Sequence, residues 1–328
     1  MAKLAGVSQR TVSNVVNGYV HVKPETRVRV QDAISTLNFR PNVSAQRLRK
    51  GKTGLLALAM PEIAAPYFAE LADLVQRAAE LQGSTLLIEQ TGGTRERELQ
   101  VLDGYQANLI DGLILSPLAI SARDLEQRSL DFPTVLLGES VSPGSFLHIG
   151  IDNVAAARMA TEHLIQSGRT KVGVIGAPSL QQLPGPATRR MQGFRDALGL
   201  AGLGVRPDRV FETTSWTRAT GYAFGRQIAQ DGMDVDALFC FNDLLALGVM
   251  KGLQSAGIRV PSDIAVVGWD DVQESAYATP TLTTISPDTA EIARRAVEGV
   301  LAPEVSAPTA ADVVIAFSLI ERESTLRG

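Results

Sequence analysis

Residues Val7 to Asn17 run Val-Ser-Gln-Arg-Thr-Val-Ser-Asn-Val-Val-Asn, between Ala5-Gly6 and Gly18. Ser8 is a helix N-cap by type, because its hydroxyl can accept a backbone N–H of the first turn. Val12, Val15 and Val16 follow at helical spacing on one face. Gln9, Arg10, Ser13, Asn14 and Asn17 fall on the other, which carries amide, guanidinium and hydroxyl groups but no acid. Such groups suit base edges and phosphates: Arg pairs with guanine, Gln and Asn with adenine, Ser and Thr with either. Gly6 stands where one short helix turns into the next. The pattern is that of a helix-turn-helix with its recognition helix at Ser8–Asn17. Alone, it fits an ordinary amphipathic helix equally well.

Charge separates the two readings. Between Met1 and Thr53 ten Lys or Arg face only Glu25 and Asp32, so this segment carries +8, while the whole chain carries −4 and the remainder therefore −12. A small basic head on a large acidic body places the polyanion at the head. Pro24-Glu25 starts a further helix, with proline in the first turn and an acid near the positive end of the dipole. Val30, Ala33, Ile34 and Leu37 give that helix an apolar face to pack on Val12 and Val16, and Phe39-Arg40-Pro41 ends it. Asn42 to Leu48 can form about two helical turns, too short to be stable alone in water. Against a partner, Leu48 can wedge into a minor groove with Arg47, Arg49 and Lys50 on phosphates. The same residues would also serve as a solvated linker.

The chain has 328 residues, 45% of them hydrophobic and 20% charged, enough for two or three domains with a large core. No apolar run reaches the ~18 residues of a membrane span, and the first residues do not follow the order of a secretory signal. Cys240 is the single cysteine. A cytoplasmic protein without membrane contact is expected.

From Gly54 short apolar runs alternate with amphipathic ones. Leu55–Met60, Thr85–Glu89, Leu113–Leu115, Val135–Leu137, Val172–Ile175, Leu238–Phe241 and Ile264–Val267 read as buried strands with helices between them. That alternation implies parallel sheets covered on both faces, with ligands bound beyond the carboxyl ends of the strands. Polar and aromatic residues recur there: Glu62, Tyr67 and Phe68; Glu139 and Ser140; Asp152 and Asn153; Arg189 and Arg190; Trp216; Asn242 and Asp243; Trp269, Asp270 and Asp271. Acids, amides and rings together suit a polyhydroxylated ligand. Singly, each would serve as a helix cap or loop residue, Asp152, Asp243 and Asp271 above all.

Catalytic and metal-binding patterns are missing from the sequence. There is no Walker-type lysine loop, no Gly-x-Gly-x-x-Gly after a strand, no metal-ligand spacing of Cys or His and no nucleophile elbow. His21, His148 and His163 lie in different segments. Neither an enzyme nor a bound cofactor is expected.

The chain resembles the lactose-repressor (LacI/GalR) family of bacterial transcription regulators over essentially its whole length. The resemblance rests on Ala2-Lys3-Leu4-Ala5-Gly6-Val7-Ser8, Thr11 to Gly18, Arg40-Pro41-Asn42 and Ala45-Gln46-Arg47-Leu48 in the head. In the body it rests on Asp152-Asn153, His163-Leu164, Gly173 to Gly176, Arg190 to Phe194, Asn242-Asp243, Val267 to Asp271 and Pro280 to Ile285. It implies an all-α helix-turn-helix head at 1–40 and a hinge helix and linker at 41–53. The α/β, periplasmic-binding-protein-like body then spans 54–328, with one parallel-sheet subdomain at about 54–152 and 285–312 and another at about 153–284 and 313–328. The implied function is a repressor that binds a pseudo-palindromic DNA operator as a homodimer, under control of a small molecule held between the subdomains, a sugar or sugar derivative. A sugar receptor without DNA binding, and a corepressor-dependent regulator answering to a nucleobase or partner protein, are the alternatives. By motif position Gln9, Arg10 and Asn14 read bases. Ser8, Thr11, Ser13, Asn17 and His21 touch phosphate or sugar. Asn42, Ala45, Arg47 and Leu48 serve the hinge. Tyr67, Phe68, Glu139, Arg190, Trp216, Asn242 and Asp270 contact effector. Three departures are visible. The family has several more residues before Ala2, so a short first helix is expected here. Lys23 replaces the Ser or Thr that caps the third helix. Gly138-Glu139 stands where an aspartate often contacts sugar.

Overall fold

The computed structural model describes residues 1–16, 19–39, 52–104, 109–128, 130, 132–138, 146–179, 185–301 and 312–326. The hinge stretch, with Asn42, Ala45, Arg47 and Leu48, lies outside them, as do Asn17 and Glu139. The chain divides into two compact units, Met1–Thr53 and Gly54–Gly328.

The first unit is helical. α1 (Ala2–Ala5) ends on Gly6, whose φ of 63° is the left-handed conformation that glycine adopts without cost. α2 (Gln9–Val16) starts behind Ser8, whose Oγ accepts the Thr11 N–H at 3.1 Å. α3 (Pro24–Thr36) starts at Lys23 with no side-chain cap. Ala5, Val15, Val30 and Ala33 form the buried core, with Val7, Val12, Val22 and Ile34 against it. Two expectations are corrected. Val15, not Val16, is the buried valine of α2. Leu37 is 50% exposed because α3 stops at Thr36, so the helical spacing no longer carries it inward. A core of four small side chains is marginal.

The second unit holds two six-stranded sheets. The first takes β1 (Leu55–Met60), β2 (Thr85–Gln90), β3 (Gly112–Leu115), β4 (Thr134–Leu137), β5 (Leu147–Ile151) and β11 (Asp312–Ile315), in the order β11-β5-β4-β3-β1-β2. The second takes β6 (Val172–Ala177), β7 (Val210–Glu212), β8 (Ala237–Cys240), β9 (Ala265–Trp269), β10 (Thr283–Pro287) and β12 (Phe317–Ile320), in the order β12-β10-β9-β8-β6-β7. All pairings are parallel except β10 with β12. We call the two halves the first and second lobes. Strand pairing places β10 in the second lobe and β11 in the first, so the chain crosses after Pro287 and at Ala316, a few residues beyond the approximate 285 and 312. Asn153, one residue beyond β5 after the cap Asp152, opens the helix that starts the second lobe.

Continuous apolar runs form these strands because both faces are covered. In β1, Leu56, Leu58 and Met60 join one cluster while Ala57 and Ala59 join another, the two-residue alternation of a strand. In β8, Phe239 faces one cluster and Leu238 and Cys240 the other. The helices are α4 (Pro66–Leu81), α5 (Arg95–Gly104), α6 (Ala122–Glu126) and α12 (Thr289–Leu301) on the first lobe. On the second they are α7 (Asn153–Gln166), α8 (Pro186–Leu200), α9 (Arg218–Gln230), α10 (Asp243–Gln254) and α11 (Gln273–Tyr277). The buried reading of Thr85–Glu89 is corrected: β2 is the sheet's edge, and Leu87 and Ile88 are exposed at 37% and 42%.

Helices α9 and α10 touch backbone to backbone. A Cβ built at Gly248 would lie 2.2 Å from the Arg218 carbonyl oxygen, and one at Gly221 would lie 2.2 Å from that of Leu245. Neither carbonyl can swing aside as a side chain would. Gly248→Ala is therefore expected to cost about 2–3 kcal/mol, the upper range of overpacking, read as a lower urea midpoint with unchanged slope. A gain of about 0.5–1 kcal/mol, as at an unobstructed helical glycine, would show that the helices are not in contact.

Candidate functional site

On the head, Ser8 fixes the start of α2, and the residues just after it, Gln9 and Arg10, are exposed. Thr11, Ser13 and Asn14 are half-buried on the same short helix. Ser8 Oγ and Thr11 Oγ1 share a hydrogen bond of 2.9 Å. His21 is exposed and edge-on to Tyr19, with ring centroids 5.6 Å apart. Arg27 on α3 donates to the Tyr19 carbonyl at 2.8 Å and so steadies the turn that carries His21. The unit thus presents one guanidinium and one amide at the amino end of a capped helix, an arrangement able to enter a major groove.

In the body, the strand ends of the second lobe converge on Arg190. Its helix packs so closely on α7 that a Cβ at Gly193 would meet the Val154 carbonyl oxygen at 2.2 Å. From that base Arg190 Nε donates to Asn153 Oδ1 at 2.7 Å, and Nη1 donates to the Phe241 carbonyl. Its guanidinium carbon lies 3.9 Å from the ring centroid of Trp269 and 5.4 Å from that of Trp216. Hydrogen bonds in the plane and a ring against the face fix a guanidinium in orientation, which a lysine could not reproduce. Asn242 Nδ2 donates to the Trp216 carbonyl at 3.2 Å, and its Oδ1 caps α10 by accepting the Leu245 N–H at 2.9 Å. Trp216 is thereby held over Phe241, ring centroids 6.1 Å apart.

Asp270 completes the group. It is half-buried, with a φ of 113° that L residues rarely adopt. Burial pushes its carboxyl well above the usual range, while the Arg190 charge pulls it back. Tyr67 and Phe68 open α4 on the first lobe, edge to face at 5.2 Å, and pack on the apolar cluster that Trp216 also touches. The structure therefore brings Arg190, Trp216, Asn242 and Asp270 together on the second lobe and puts Tyr67 and Phe68 at a strand end of the first. An arginine, a carboxylate, an amide and rings at strand ends can orient a polyhydroxylated ligand, since acids accept from hydroxyls and rings cover apolar sugar faces.

Four further residues contribute; Trp269, Asn153 and Asp243 stand in the strand-end pattern of the sequence but outside the effector contacts that the resemblance implies, and Glu70 stands in neither. Trp269 is the last residue of β9, two positions beyond the expected strand end, and it is 1% exposed beneath Arg190. Asn153 orients Arg190. Glu70 on α4 reaches the Gln273 N–H at 3.0 Å. Asp243 is not the cap of α10, a role Asn242 holds. It is fully buried and accepts from Val272 N at 3.0 Å, Ser275 Oγ at 2.7 Å and Thr284 Oγ1 at 2.6 Å. The adjacent acid Asp271 pairs with Arg322 at 2.7 Å, and Asp152 caps α7 through the Ala155 N–H at 2.9 Å. His163 bonds Thr325 at 2.8 Å, a structural role.

Burial raises Asp243 to about 7, against the pull of its three donors. The folded value lies above the ordinary 3.8, so across the interval up to about 7 the native state keeps a proton that the unfolded chain has lost. Stability from this group is full below that interval and is lost as pH rises through it. Asp243→Asn, which has no proton to release, is expected to remove this decline. Subtracting its urea stability from that of the parent between pH 4 and 8 isolates the effect from the buried histidines, whose depressed values act in the opposite sense. A difference that does not vary with pH would contradict it.

Among the described residues, no group of three or more His, Cys, Asp or Glu side chains is placed to hold a metal, and no helix is long and apolar enough to cross a membrane. A helix-turn-helix unit and a two-lobed body with polar groups at its strand ends, on one chain, define a ligand-responsive DNA-binding regulator. Comparison with known proteins narrows the class. Residues 1–42 match the model of bacterial regulatory proteins of the lacI family, and residues 161–325 match that of the periplasmic binding protein-like domain. The ribose operon repressor of Escherichia coli strain K12 is 31% identical over 311 residues, 94% of this chain and 93% of the relative. The transcriptional repressor PurR of Aliivibrio salmonicida is 31% identical over 300 residues, 91% and 89% of the two chains. The solved Lac repressor dimer, bound to operator and the anti-inducer ONPF, superposes with a TM-score of 0.86 at 27% identity, covering 99% of this chain and 98% of the other. The chain belongs to the lacI family of bacterial regulatory proteins.

Proposed function

We propose that this protein is a transcriptional repressor that binds a pseudo-palindromic operator as a homodimer and releases or tightens its hold when a sugar or sugar derivative enters between the lobes. Gln9, Arg10 and Asn14 read base edges in the major groove. Ser8, Thr11, Ser13, Asn17 and His21 contact phosphate and sugar. Asn42, Ala45 and Arg47 order the hinge in the minor groove, where Leu48 is the wedge. In the body Arg190, Asp270 and Asn242 orient the effector, with Trp216, Tyr67 and Phe68 as its apolar walls and Glu139 as a further contact. Binding shifts the balance between lobe arrangements and so changes operator affinity. The observation that carries the reading is Arg190, held by Asn153 and Phe241 against Trp269 on the same chain as a capped helix with exposed Gln9 and Arg10. In this reading the protein acts by binding, as the repressors it resembles do.

A thermal-shift screen over pentoses, hexoses, their phosphates and nucleobases tests the ligand half, since a ligand of the folded state raises the midpoint. A sugar is expected to do so; a rise with nucleobases alone would reassign the effector. Selection from random duplexes tests the DNA half. An inverted repeat is expected, with binding that weakens steeply with salt. Binding indifferent to sequence would contradict it.

A further inference from the structure

The segment Asp270–Gln273 carries the effector carboxylate, and its backbone is unusual. Asp270 and Asp271 both have positive φ, 113° and 53°. Left-handed conformations at two successive non-glycine residues persist only where neighbours hold them. Four groups do so here. The Asp270 N–H donates to the Ile285 carbonyl at 2.9 Å, and Asp271 pairs with Arg322 at 2.7 Å. Val272 N donates to Asp243 at 3.0 Å, and Gln273 N donates to Glu70 at 3.0 Å. Ile285, Arg322 and Asp243 belong to the second lobe, as the segment does. Glu70 belongs to α4 of the first.

Gln273 is the first residue of α11, and Val272, at the N-cap position, offers no side-chain acceptor. The first N–H groups of a helix need an acceptor from outside. Here a carboxylate from the opposite lobe supplies it. A charged acceptor makes the contact stronger than a neutral one. Glu70 also bears on Asp270 directly, as one of the negative charges that raise its carboxyl.

We propose that Glu70 is a positioning residue of the effector cleft: it caps α11 across the cleft and ties the geometry of Asp270 to the arrangement of the two lobes. The proposal rests on the reading of this cleft as the effector site. When the lobes move apart, Glu70 leaves Gln273, the cap is lost and the Asp270 segment relaxes. A ligand gripped by Asp270 therefore binds best when Glu70 is engaged, and its binding holds the lobes in that arrangement.

The test uses the full-length, ligand-free chain and hydrogen exchange read by mass spectrometry. Glu70→Ala removes the acceptor, Glu70→Gln keeps a neutral one, and Gln273→Pro removes the donor while suiting the first position of a helix. Peptides covering 270–277 are expected to exchange about fivefold faster or more in Glu70→Ala and in Gln273→Pro, with Glu70→Gln between them and the parent. Peptides from β8 and β9 keep their protection. Small-angle scattering of Glu70→Ala shows a larger radius of gyration as the lobes part. Unchanged exchange over 270–277, or faster exchange confined to α4, would overturn the proposal. No ligand enters this experiment, so its failure leaves the effector reading to the thermal-shift screen.

Discussion

Arg190→Ala is expected to abolish the response to effector and to leave operator binding by the ligand-free protein intact. The side chain is 8% exposed, hydrogen-bonded to Asn153 and the Phe241 carbonyl, and stacked on Trp269. Hydrogen bonds from such a fixed cation to ligand hydroxyls contribute about 1.5–3 kcal/mol each. Losing them is expected to weaken ligand binding about 100-fold or more, read by calorimetry with the ligand from the screen. Arg190→Lys separates charge from geometry. Lysine keeps the charge but cannot reach Asn153 and the Phe241 carbonyl in one plane, so affinity is expected to fall nearly as far as in the alanine variant. If the lysine variant binds like the parent, charge alone suffices and the fixed guanidinium is not the selecting feature. Alanine also leaves the Asn153 amide oxygen without its donor, at a cost to stability of about 1–3 kcal/mol. Binding is therefore compared at a temperature where both variants are folded.

The second large effect is at the head. Arg10 is exposed in the first turn of α2, behind the Ser8 cap. A good bidentate contact of arginine with a base is worth about 1–3 kcal/mol of discrimination. A homodimer makes it twice per operator, so Arg10→Ala is expected to weaken specific binding by about two to four orders of magnitude and to relax selection at one base in each half-site. Binding to unrelated DNA should fall far less, because phosphate contacts carry it. An equal loss on specific and unrelated DNA would place Arg10 on a phosphate instead. The head's fold is not at risk, since Ala5, Val15, Val30 and Ala33 form its core and Arg10 does not join it.

Both predictions concern residues visible in the sequence, for different physical reasons. The head was legible because a cap, helical spacing and a charge imbalance coincide within Met1–Thr53. The strands of the body were legible as apolar runs because both sheet faces are covered. Hydrophobicity says what a residue prefers, not what covers it, so β2 was misread: Leu87 and Ile88 look buried by type but lie on the sheet's edge. The site divides similarly. Arg190, Trp216, Asn242 and Asp270 stand out as polar or aromatic residues at strand ends. Trp269 stands in the same row, but its place inside β9 and its use of the ring face beneath Arg190 show only in the structure. Asp243 resembles the cap beside it, and only its three donors show that it turns inward. Glu70 is one of several acids on an amphipathic helix. Its partner is a backbone N–H 203 residues away, and backbone donors leave no trace in side-chain patterns.

In the proposed mechanism one ligand, held at Arg190 and Asp270, changes the operator affinity of Gln9 and Arg10 on the same chain. The most direct measurement is the operator dissociation constant of the full-length protein, at fixed salt, without ligand and at saturating ligand. Thermodynamic coupling makes the relation reciprocal, so operator must change the ligand's dissociation constant by the same factor. A factor of about 5–150 is expected in both titrations, the usual range of such coupling, and no change in Arg190→Ala. A ligand that binds the folded protein tightly, yet leaves operator affinity the same at saturation, would contradict it.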